Sequence, residues 1–145
     1  MERDMEWMNK AVDQAITGLH EGGMPIGAVL VAEGKELAAG RNRLAQWDSP
    51  LRHAEIDCLE NAGSLPAATY AKSTLYTTLS PCQMCAGAVV LCGIPRVVIG
   101  ENRNWRSSED FLRSEGVEVV VLDLEDCHGP MSDFIAVRPD LWTWG

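Results

Sequence analysis

The apolar positions change their period along the chain, and those changes mark out its elements. Residues 4–20 place Met5, Met8, Val12, Ala15, Ile16 and Leu19 on one face at helical spacing, with Asp4 as a candidate N-cap. His20-Glu21-Gly22-Gly23 ends that helix. Ile26 to Ala32 is an apolar run of strand length, and Glu33-Gly34-Lys35 turns it into a second strand over Glu36 to Gly40. A polar loop over 42–52, containing Pro50, delivers His53 to a helix that runs to about Asn61. After a connector over Ser64 to Lys72, Thr74 to Leu79 has strand composition. Ser80-Pro81 opens a helix over Cys82 to Leu91, which Gly93 and Pro95 stop. Arg96 to Ile99 and Val117 to Leu122 read as strands, separated by a short helix near Asp110 to Arg113. A last helical segment covers Ser132 to Val137, and Pro139 begins an aromatic tail through Trp142 and Trp144.

A helix, a hairpin and then alternating strands and helices imply an α/β fold, a sheet covered by helices on both faces. No repeat, low-complexity tract or linker interrupts the pattern, and 145 residues suit one domain spanning 1–145. The methionine and aliphatic stripe of the first helix reads as core.

Composition narrows the setting. With 46% hydrophobic and 23% charged residues the chain has the make-up of a folded globular protein. Its charged N-terminus has no apolar segment behind it, and its longest apolar stretches are too short to span a membrane. A cytoplasmic location is the expectation. The net charge of −9, with only 12 basic residues, argues against a nucleic-acid partner, because phosphates need clustered Lys and Arg. Of five cysteines, Cys82 and Cys85 have metal-ligand spacing, whereas Cys58, Cys92 and Cys127 read as small buried hydrophobes.

The candidate chemistry lies in His53-Ala-Glu55 and Pro81-Cys-Gln-Met-Cys85. Cys82 and Cys85, three apart at a helix start, aim both thiols at one point, where the helix N-terminus favours thiolate. With His53 they make three zinc ligands, and Glu55 is near without being a natural fourth. A structural zinc site takes four protein ligands, whereas a catalytic one keeps a position open for water. The arrangement matches the H-x-E…P-C-x-x-C pattern of zinc deaminases, in which the glutamate moves protons between water, ring nitrogen and departing amine. Three other readings stay open on these residues: a structural zinc site completed by Cys58, Cys92, Cys127 or His128, a redox dithiol, and a structural histidine at position 53.

Beyond those motifs the chain resembles the cytidine and deoxycytidylate deaminase superfamily, and within it the fungal-type zinc cytosine deaminases. The resemblance rests on Glu21-Gly-Gly-Met-Pro-Ile-Gly27, His53-Ala-Glu-Ile-Asp-Cys-Leu-Glu-Asn61 and the block Thr74 to Trp105 (TLYTTLSPCQMCAGAVVLCGIPRVVIGENRNW). Residues 117–121 (Val-Glu-Val-Val-Val) and Arg138-Pro139 extend it. It implies a three-layer α/β/α fold with a mixed five-stranded sheet, a homodimer, and one zinc with a catalytic water in a small pocket. It further implies that Asn42 and the Ala54 backbone N–H bind the substrate carbonyl, and that the Ser80 carbonyl accepts from the exocyclic amine. Asn42 read alone is equally a turn former.

Two positions depart from the resemblance. Trp105 stands where the fungal enzymes have Phe, giving a larger stacking wall. Gly145 stands three positions after Trp142, where their C-terminal lid carries an acidic residue. Loss of that acceptor is expected to weaken selection for cytosine, with Trp142 and Trp144 covering the site by stacking instead. The leading expectation is zinc-dependent deamination of a small free base, cytosine first. The alternatives are deamination of guanine, creatinine or another amino-heterocycle, editing of tRNA adenosine, and a non-catalytic zinc module.

Overall fold

The computed structural model describes residues 2–142 and has a five-stranded mixed sheet in the order β2-β1-β3-β4-β5. The strands are β1 (Gly27–Ala32), β2 (Lys35–Arg41), β3 (Ser73–Leu79), β4 (Arg96–Glu101) and β5 (Glu118–Val121). Strand β1 runs antiparallel to both β2 and β3, and β3, β4 and β5 are mutually parallel. Glu33 and Gly34 turn the β1–β2 hairpin, both at positive φ (52° and 74°), as a two-residue turn of the right twist requires. The parallel strands are joined by helices, the crossover a parallel pair needs.

Helices cover both faces, so the three-layer α/β/α expectation holds. Alternate residues of the central strands divide the core: Ala28, Leu30, Leu75, Val97 and Ile99 face one layer, and Val29, Val31, Tyr76 and Val98 the other. The first layer holds α3 (Ala54–Ala62), α5 (Gln83–Cys92) and α6 (Glu109–Ser114). The second holds α1 (Glu2–His20) and the start of α7 (Glu125–Val137), through Met8, Ala11 and Cys127. Two short helices, α2 (Leu44–Trp47) and α4 (Ala67–Tyr70), punctuate stretches that read as loop and connector.

Four expectations need correction. The buried stripe of α1 is Asp4, Met8, Ala11, Ala15 and Gly18, turned from the expected face, and Met5 is exposed. Close packing explains the rotation: a β-carbon on Gly27 would collide with the backbone of Ala11 and Ala15, so small residues face the sheet. Asp4 lies inside the helix, where it pairs with Arg96 at 2.8 Å and accepts a hydrogen bond from the Tyr76 hydroxyl at 2.7 Å. The last helix begins at Glu125, not Ser132, and carries Pro130 internally. The lost N–H of Pro130 is offset by burial of Cys127, Met131 and Phe134 on one side. Cys92 is only half-buried, packed against the margin of the core at the last residue of α5.

One edge of the sheet gathers the ends that matter. Asn42 N–H donates to the Ile26 carbonyl (3.1 Å), Gly27 N–H to Thr78 Oγ1 (3.1 Å) and Ser80 N–H to the Glu101 carbonyl (3.0 Å). These bonds tie the entry to β1 and the exits of β2, β3 and β4 into one rim. Ligands of open α/β sheets bind outside the carboxyl ends of parallel strands, which is this rim.

Candidate active site and metal centre

His53 and Cys82 are the N-cap residues of α3 and α5, in extended conformation (ψ 163° and 175°) just before each helix. Cys85 lies in the first turn of α5 and is fully buried. The two helix starts meet so that His53 Nδ1 is 3.4 Å from Cys82 Sγ and 3.6 Å from Cys85 Sγ, with the sulfurs 3.7 Å apart. Tetrahedral zinc with its usual bond lengths separates nitrogen from sulfur by about 3.6 Å and sulfur from sulfur by about 3.8 Å. The triangle therefore fits zinc, and its donor set of one imidazole and two thiols suits that ion.

Among the described residues these three alone form a group able to hold a metal. Cys58, Cys92, Cys127 and His128 do not join them. Cys58 instead donates to the Ala38 carbonyl, and burial pushes its thiol up to about 12. The structural site with a fourth protein ligand thus has no candidate among those four.

Electrostatics at the triangle favour a shared proton. Cys85 donates to Cys82, which brings the Cys82 thiol down to about 4, with His53 helping. The same bond and its burial push Cys85 up. Burial pulls His53 down, but the hydrogen bond with Cys82 and the Glu55 charge outweigh it, so its pKa is raised. A divalent cation would favour thiolate on both sulfurs. Glu55, in the first turn of α3, is 3% exposed, and burial pushes it up to about 7 against the pull of His53. A carboxyl tuned to neutrality can both take and give a proton.

A small pocket lies above the triangle. His53, Glu55 and Cys82 line it with Asn42, Ser80, Trp105 and Trp142. Asn42 is 2% exposed, and its Oδ1 accepts from the Leu44 N–H at 2.9 Å. That bond makes a turn and orients the amide, leaving Nδ2 as the free donor end, so turn former and pocket residue are one role. Trp105 and Trp142 meet edge to face, ring centroids 6.3 Å apart at 88°. Ala54, at the first turn of α3, is fully buried in the core and does not line the pocket, unlike its neighbours His53 and Glu55. Trp144 and Gly145 lie outside the described residues.

Sequence reasoning missed the groups behind this wall. Met24, Ile26 and Leu79 supply its apolar side. Glu109 is buried, accepting from Ser80 Oγ at 2.7 Å and from Asn102 and Arg106. Glu101 is fully buried and accepts from the Arg103 and Asn104 N–H groups, which shapes the loop before Trp105. Asp57 is fully buried among Arg41, Arg43 and Arg52. Three arginines close to one polar loop were a signal for a buried acid. Glu101 and Glu109 gave none.

Residues 1–101 match the family model for the cytidine and deoxycytidylate deaminase zinc-binding region. The chain is 44% identical to a cytosine deaminase of Candida albicans over 141 residues, covering 97% of this chain and 94% of that protein. A solved structure from a study of A-to-I editing by tRNA:A34 deaminases has a TM-score of 0.69 at 28% identity, covering 83% of this chain and 99% of the other. A guanine deaminase structure from Bacillus subtilis has a TM-score of 0.59 at 32% identity, covering 66% of this chain and 62% of the other.

Proposed function

This chain belongs to the cytidine and deoxycytidylate deaminases and is a hydrolytic deaminase, and from that premise we propose that it converts free cytosine to uracil and ammonia. The observation that carries the proposal is one small pocket in which Asn42, Ser80, Glu55, His53 and Cys82 line a space walled by two tryptophans, with Cys85 completing the metal triangle. Such a space suits one heterocyclic ring, held by few polar groups.

The reaction replaces the exocyclic amine by oxygen from water. His53, Cys82 and Cys85 would hold one zinc, which when bound would lower the pKa of a water to about 7. Glu55 would take one proton from the water and pass it to the ring nitrogen as oxygen adds to the ring carbon, then take the second from the added hydroxyl and deliver it to the amine, which leaves as ammonia as the new carbonyl forms. Asn42 donates from Nδ2 to the ring carbonyl. The Ser80 carbonyl accepts from the amine, and of the two perpendicular tryptophans, Trp105 and Trp142, one stacks on the base while the other closes its edge, excluding water.

Charge supports a small neutral substrate over RNA. Every arginine from Arg41 to Arg138 stands within 4.0 Å of a carboxylate, so few cations are left to meet phosphates. No described helix is long and apolar enough to cross a membrane. A homodimer is part of the proposal: α5 exposes Leu91 and leaves Val90 and Cys92 half-buried, an apolar strip that a second copy covers. Light scattering should then give twice the mass of one chain.

The substrate is tested by ammonia release from cytosine, cytidine, guanine, creatinine and an adenosine-containing anticodon stem-loop. Turnover of cytosine above the others is expected. Preference for guanine or creatinine transfers the site to another base, and preference for cytidine or the RNA contradicts the free-base proposal.

A further inference from the structure

We infer that Asp57 is a positioning residue for Asn42, and so sets how tightly the site holds the carbonyl of its base; this rests on the role proposed for Asn42. Asp57 lies in the first turn of α3, four residues after the N-cap His53, whose carbonyl accepts from its N–H at 2.8 Å. Its side chain has no solvent exposure. Oδ2 accepts from the Arg41 backbone N–H at 2.9 Å and from Arg43 Nε at 3.3 Å, and Oδ1 accepts from Arg52 Nε at 2.7 Å. Arg41 and Arg43 are the two neighbours of Asn42, and Arg52 is the neighbour of His53.

One carboxylate thus grips the chain on both sides of Asn42 and links it to the helix that presents His53 and Glu55. A backbone bond closes the same loop, Arg43 N–H to the Arg52 carbonyl at 2.9 Å. The two guanidiniums lie over the Trp47 ring, at 4.7 Å and 5.0 Å from its centroid, which braces them from outside. Core packing alone does not ask for this. An apolar residue at position 57 would be the cheaper filling for a site without solvent, since burying a charge is repaid only by full pairing. The pairing is spent instead on the two residues that flank a pocket side chain.

The carboxylate is needed as such. Its oxygens accept three N–H bonds, and an amide in its place would turn a donor toward one of those donors. Asp57→Asn is therefore expected to loosen the Arg41–Asn42–Arg43 segment while conserving volume. Arg43→Lys is the milder second variant, removing one bond and keeping the charge, in case Asp57→Asn does not fold.

The test is a double-mutant cycle with Asn42→Ala on zinc-loaded protein, reading kcat/KM for cytosine, zinc content and thermal unfolding. Asn42→Ala should lower kcat/KM by at least about tenfold, and Arg43→Lys by about fivefold, mainly through KM and with full zinc. In the Asn42→Ala background Arg43→Lys, and Asp57→Asn where it folds, should change kcat/KM by less than about twofold. Multiplying effects would overturn the inference, since Asp57 would then act on the fold and not through Asn42. An Asn42→Ala protein with unaltered kcat/KM would overturn the role of Asn42 itself, a failure recognisable from the single variant.

Discussion

Gly40 of β2 lies against the backbone of Cys58 in α3 with no room for a β-carbon between them. This contact seats α3, which His53 caps and which carries Glu55, directly on the strand that ends at Arg41, just before Asn42. Gly40→Ala would push α3 off the sheet. It is expected to cost about 1–3 kcal/mol, read as a lower urea midpoint with unchanged m-value. Activity should fall beyond what the folded fraction explains, because Glu55 and Asn42 move apart.

Loss of any ligand should empty the metal site. His53→Ala, Cys82→Ser and Cys85→Ser are each expected to bind well below one zinc per chain, measured by elemental analysis after gel filtration. Chelation of the intact protein should abolish ammonia release, and added zinc should restore it. The same treatment should lower the unfolding temperature, because metal binding adds to folding free energy.

Stability should carry the mark of Asp4. Its Arg96 partner, helped by the Tyr76 hydroxyl, holds its carboxyl down to about 2 from the usual 3.8, against the opposing effect of burial. A depressed folded pKa gives stability that is present above the unfolded value and lost as pH falls through the folded one. Asp4 should therefore contribute about 2 kcal/mol above pH 4, vanishing toward pH 2. Urea unfolding of wild type and Asp4→Asn checks this: the gap between them should close as pH falls across that window. A gap independent of pH contradicts it.

Trp142→Ala should remove the edge-to-face partner of Trp105 and open the pocket. KM for cytosine is expected to rise about tenfold, from lost aromatic contact, with zinc content unchanged. Trp105→Phe keeps a ring in the wall and should cost only a few-fold. If both variants match wild type, the tryptophans pack on the domain without touching substrate.

Much of this was legible in the sequence because the governing signals were local. Strand runs, the Glu33-Gly34 turn, and the spacing of His53, Glu55, Cys82 and Cys85 each follow from a few adjacent residues. The misses are long-range. The face of α1 is set by how closely Ala11 and Ala15 approach Gly27, and side-chain hydrophobicity ranks Met5 and Ile16 above those alanines. The start of α7 was hidden because Pro130 reads as a breaker, although burial of Cys127, Met131 and Phe134 carries the helix through it. Asp57 acts on Arg41 and Arg43, and Glu109 on Ser80, partners that only the folded chain brings near, whereas Glu101 grips Arg103 and Asn104 of its own loop. Charge counting alone could not say which acids are buried.

The most direct measurement compares zinc-loaded wild type with Glu55→Gln, counting bound zinc and ammonia released from cytosine in the same samples. Wild type should bind one zinc per chain and release ammonia with uracil. Glu55→Gln should bind zinc equally, because Glu55 lies outside the ligand triangle, and lose turnover by a factor of at least about a thousand. Ammonia release by Glu55→Gln at the wild-type rate, or none by zinc-loaded wild type on cytosine, would contradict the proposed function.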